Sequence, residues 1–137
     1  MLRRALLAAA VAVATPAVAA EIPPAPAAYV DISPVAAPVI VDGRLVNYVF
    51  VSVRLWARPG VDLARLRERE PYFRDALVRA VHRTPFGLTG DPSRVNEAAL
   101  TRAVAADAAR IAGAAAFSRV QVTAQTSQRR IGPRPRR

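Results

Sequence analysis

The chain contains no cysteine, no lysine, one histidine and one tryptophan in 137 residues. Without cysteine there is no disulfide, no thiolate metal centre and no thiol nucleophile, so the domain must be held by its own core. The lone His82 cannot form a histidine pair around a metal or a Cys-His couple. In the last turn of a helix it is better explained by attraction to the C-terminal carbonyls. No glycine-rich phosphate loop is present, and no serine has the context of a nucleophile elbow. Glu68 and Glu70 lie two apart, which on a helix turns them about 200° away from each other. No catalytic, cofactor or metal constellation emerges, and the chain reads as a non-enzyme.

All twenty basic residues are arginine against ten acids, a formal net charge of +10. With abundant Ala, Val and Pro, the arginine bias points to a GC-rich genome more than to a binding specialisation. The start, MLRRALLAAAVAVATPAVAA, has Arg3 and Arg4 before an apolar run, a Thr15-Pro16 break and small residues after it. That is the layout of a secretory signal peptide over residues 1–20, with cleavage expected after Ala19 or Ala20. Its competitor is an uncleaved inner-membrane anchor, but a spanning helix needs about 20 uninterrupted apolar residues. Cleavage would remove two arginines and no acid, leaving +8, and would place the chain in the periplasm.

Residues 21–28, EIPPAPAA, form an extended Pro/Ala linker. At the other end, Arg129, Arg130, Arg134, Arg136 and Arg137 stand among Gly132, Pro133 and Pro135 without an acid. Residues 129–137 are therefore expected to be a disordered basic tail. Such a tail suits an anionic lipid surface, such as that of the inner membrane, or an anionic polymer. Export makes nucleic acid the least favoured partner.

Between these ends lie about 100 residues, the size of one domain. Tyr29–Ile32 is strand-like and closed by Ser33-Pro34; Pro38 confines any continuation to an edge or bulge. Val39–Val41, Asp42-Gly43 and Leu45–Ala57 read as a hairpin, because Asp-Gly favours a two-residue turn. Alternation puts Val49, Val51, Val53 and Leu55 on a buried face, with Tyr48, Phe50, Ser52, Arg54 and Trp56 opposite. Asp62 caps a helix whose apolar stripe is Leu63, Leu66, Phe73, Leu77 and Ala80. Pro71 must either kink that helix or sit in the first turn of a new one, and Pro85 ends it. Glu70–Arg74 and Asp75–Arg79 are expected i,i+4 pairs, each worth ~0.2–0.5 kcal/mol. These pairings leave a zwitterionic face rather than a phosphate-reading stripe. Tyr72, off the stripe, stands with Arg74 and Arg79 as a candidate partner surface.

Asn96 caps a second helix with the stripe Leu100, Val104, Ala108 and Ile111, and Gly113 stops it. Phe117–Ser127 alternates as a half-exposed strand, with Val120, Val122 and Ala124 inward and Arg119, Gln121, Thr123 and Gln125 outward. The order predicts an α+β domain: an antiparallel sheet made of a hairpin plus the C-terminal strand, packed with two helices.

The segments GRLVNYVFVSVRLWA, EREPYFRDALVRAV, NEAALTRAVAADAARI and FSRVQVTAQTSQ, in that order, resemble the flagellar basal-body-associated FliL family. Arg74-Asp75-Ala76-Leu77 stands where that family has a similar core motif. Gln125 or Gln128 matches the glutamine near the end of its last strand. The resemblance spans residues 29–128. It implies a stomatin-like fold, self-association into a homo-oligomer, and a non-enzymatic scaffold role at the flagellar stator or basal body in support of motility. Family members usually keep an uncleaved transmembrane helix, whereas this chain starts with a removable-looking signal. An envelope-binding module that uses the arginine tail is the alternative reading.

Overall fold

The computed structural model describes residues 26–128. Two long strands, β1 (Tyr29–Val41) and β2 (Arg44–Ala57), form a hairpin. Helices α1 (Leu63–Glu68) and α2 (Glu70–Arg83) follow, then a small hairpin of β3 (Gly87–Leu88) and β4 (Asp91–Val95). Helix α3 (Glu97–Ala112) and strand β5 (Phe117–Ser127) complete the order. The main sheet is antiparallel in the order β1-β2-β5, so the C-terminal strand joins the hairpin as the segment order predicts.

Local chemistry places these elements. Asp42 and Gly43 adopt φ of 53° and 74°, the left-handed pair that a two-residue hairpin turn requires and that Asp-Gly tolerates. The Asp62 carboxylate accepts the Arg65 N–H, and the Asn96 side chain accepts the Ala99 N–H, each at 3.1 Å. Both close the open N-terminal amides of their helices. Gly113, at φ 92°, ends α3.

The helix interruption resolves as a restart. Arg69 separates α1 from α2, and Pro71 occupies the first turn of α2, where an N–H has no intrahelical acceptor to lose. Strand β1 does not close at Ser33-Pro34. It continues to Val41, and the pairing register jumps between Ile32 and Val35. Ser33 and Pro34 form a bulge, which an edge strand accommodates because its outer side carries no ladder.

Another register shift falls on β5: Ser52 pairs with Ala124 but Val53 with Val122, leaving Thr123 as an extra residue. Side-chain direction therefore reverses across Thr123. Val120 and Val122 point inward, as alternation predicts, but Ala124 is turned outward and Gln125 inward, opposite to expectation. A strict period of two cannot anticipate a bulge.

The core lies between one face of the sheet and the helices. Val49, Val51, Val53 and Leu55 are at most 1% exposed and meet Leu66, Phe73, Leu77, Leu100 and Val104 from the helices. Each fully buried leucine contributes about 1.5–3 kcal/mol by leaving water. Phe73 also meets Phe117 edge-on, with centroids 5.4 Å apart. The Ala-rich body of α3 keeps that helix close to α2 and β5.

Candidate functional site

Among the described residues the helices gather on one face of the sheet, and the other face is left to side chains of β1, β2 and β5. Register aligns them in two rows across the strands: Tyr29, Trp56 and Arg119, then Asp31, Arg54 and Gln121. Each row spans all three strands. The Arg54 guanidinium is held in a fork by Asp31, with Nε–Oδ1 at 2.6 Å and Nη2–Oδ2 at 2.9 Å. It also lies 3.7 Å from the Tyr29 ring centroid. Tyr29 meets Trp56 edge-on at 5.4 Å, and Arg119 covers the Trp56 ring at 4.7 Å. The Trp56 indole N–H donates to Gln121 Oε1 at 3.1 Å.

These six residues fix one another, so planar cationic and aromatic groups are presented with little conformational freedom left to lose on binding. The Arg54 hydrogen bonds hold the Asp31 carboxyl below its ordinary range despite some opposing desolvation. At the opposite end of the sheet the character changes. Ile40, Val41 and Leu45 at the hairpin tip, and Phe50 midway along β2, are each at least 40% exposed. The outer face thus runs from an arginine-aromatic lattice to an apolar tip.

The residues singled out on α2 lie elsewhere. Tyr72 is 65% exposed and lines a groove of about 360 Å³ between α2 and α3, together with Arg79, Arg83, Asp107 and Arg110. Arg79 pairs with Asp75 at 2.7 Å, as the spacing predicts. Arg74 is exposed but outside this groove.

The expected Glu70–Arg74 pair is not made. Glu70 Oε1 instead accepts the Ser33 N–H at 2.9 Å, because the restart at Arg69 sets the first turn of α2 beside the β1 bulge. Asp107, which stood out for nothing in the sequence, is the buried charged residue of this groove, and it pairs with Arg110. His82 Nδ1 lies 2.8 Å from the Val78 carbonyl, in keeping with a helix-end role.

Among the described residues no three His, Cys, Asp or Glu side chains lie together as a metal site. No helix there is long and apolar enough to cross a membrane. The expected cleavage site at Ala19 and Ala20 lies outside the described residues, as does the arginine tail 129–137.

The outer-face lattice was only half legible. Alternation in β2 marks Arg54 and Trp56 as neighbours on one face. Their partners from β1 and β5 depend on register, which no local pattern carries. Comparison with protein-family models, with curated proteins and with solved structures returns no match.

Proposed function

We propose that the chain is an exported, non-enzymatic scaffold of the flagellar stator or basal body, FliL-like in kind, that acts through protein contacts at the outer face of its sheet. The observation that carries this reading is the one-sided packing of the helices. A three-stranded sheet whose second face holds an ordered arginine-aromatic lattice and an apolar tip is suited to docking, since tryptophan, tyrosine and arginine are the usual anchors of protein interfaces. The order of the elements connects that surface to the flagellar resemblance, and the expected export signal would bring it to the periplasm.

Gene deletion followed by swimming in soft agar, with flagella counted by microscopy, tests the role. Reduced swimming with normal flagellation is the expected result. Unchanged swimming would sink the motor assignment. Complementation with Trp56→Ala tests the surface: it should fail to restore swimming although the variant accumulates and folds normally. A chain truncated after Gln128 should complement fully; failure of that truncation would favour the envelope-binding reading.

A further inference from the structure

The two edges of the main sheet are built differently. On β1 the edge is interrupted by Pro34 and Pro38, by the Ser33-Pro34 bulge, and by the Glu70 carboxylate on the Ser33 amide. These are the devices by which a sheet refuses another strand. Strand β5 has no proline, and its only charged residue is Arg119. A groove of about 470 Å³ runs beside Val122–Ser127, bounded by Ser93, Arg94 and Glu97.

The hydrogen-bonding phase of this open edge can be followed residue by residue. The Ala57 N–H donates to Ala28 O in the direction of β1, at 2.9 Å. Alternation then turns Trp56, Arg54, Ser52 and Phe50 toward β5. Their partners Arg119, Gln121, Ala124 and Thr126 turn back toward β2. Gln128 continues this phase, its N–H donating to Tyr48 O at 2.8 Å. Val120, Val122, Gln125 and Ser127 are left with their N–H and C=O groups on the edge that no strand among the described residues pairs with. Because Thr123 is an extra residue, the outward set changes from even to odd positions in mid-strand.

A regular extended peptide laid on this edge stays in phase with only half of it. A strand with the same bulge, run antiparallel, matches both halves. With the two-fold axis between Thr123 and Ala124, Val120 faces Ser127 of the copy and Val122 faces its Gln125. Each of these four outward residues then meets an outward residue. Arg119 falls opposite Gln128, so the one charge of the strand does not meet itself.

The geometry points to a second copy of this chain as the occupant of the β5 edge, paired antiparallel across a two-fold axis into one continuous six-stranded sheet. This contact is isologous and closes at two copies. It is independent of the flagellar assignment and leaves both outer faces open on the same side of the joined sheet.

The chain lacks cysteine, which makes a register-specific cross-link possible. Gln121 and Thr126 are exposed, point to the outer face, and fall opposite each other across the proposed axis. Gln121→Cys and Thr126→Cys are prepared as separate mature chains, mixed, and oxidised with copper-phenanthroline, alongside light scattering of the unaltered protein. The expected result is a dimeric mass and a disulfide between the two different variants, with neither variant cross-linking when alone. A monomeric mass, a dimer that gives no mixed disulfide, or efficient cross-linking of either variant with itself would overturn the proposal.

Discussion

The carboxylate of Glu70 accepts the backbone N–H of Ser33 at 2.9 Å, joining the first turn of α2 to the bulge of β1. The contact links the two most irregular places in the fold. The Ser33 amide points away from β2, so the β1–β2 ladder cannot use it, and the helix restart brings an acid to it. Glu70→Ala is expected to lower unfolding stability by about 0.5–1.5 kcal/mol, the net worth of one hydrogen bond at a site that water can reach. Urea denaturation measures it, and Arg74→Ala should cost less because Arg74 does not pair with Glu70.

Pro71 gives a sharper contrast. In a helix interior it would cost about 3 kcal/mol, but in a first turn its missing N–H costs nothing. Pro71→Ala should therefore change stability by no more than about 1 kcal/mol, with the loss of chain stiffness in the unfolded state offsetting the better helix propensity of alanine. A gain approaching the interior value would show that α1 and α2 are one strained helix.

Gln125 is turned into the structure by the Thr123 bulge, where its Oε1 accepts the Val95 N–H at 2.9 Å and its amide nitrogen donates to Glu97. Gln125→Ala would leave the Val95 amide without that acceptor, a loss of about 1–3 kcal/mol. Thermal unfolding should show a lower midpoint, and hydrogen exchange should show faster exchange at Val95.

Asp31 predicts a pH dependence. Its folded-state pKa is depressed by the Arg54 hydrogen bonds, so its contribution is present above the ordinary carboxylate range, about pH 4, and is lost as pH falls through the folded value. Asp31→Asn should reduce stability slightly at neutral pH, by an amount that shrinks on acidification until the two proteins converge. The effect is small because the pair is solvent-accessible. Denaturation midpoints across the acid range, with and without added salt, test both the sign and the screening.

Local chemistry accounts for the long strands, the helix starts and the buried stripes. Asp-Gly made the turn, Asp62 and Asn96 made the caps, and alternating valines in Leu45–Ala57 marked the inner face. These are local effects, carried by residues within a few positions of each other. No local pattern predicts the small hairpin Gly87–Val95, because its strands are short and its apolar content is too low to show a period.

Tertiary structure decided whatever depends on register. It set Asp31 and Arg119 on either side of β2, gave Glu70 to Ser33 instead of Arg74, and reversed Ala124 and Gln125 across an inserted residue. Strand pairing joins residues far apart in the chain, and one extra residue exchanges the two faces beyond it. The stretch EREPYF thus encoded its own helix start, but only the sheet beside it determined what its glutamate holds.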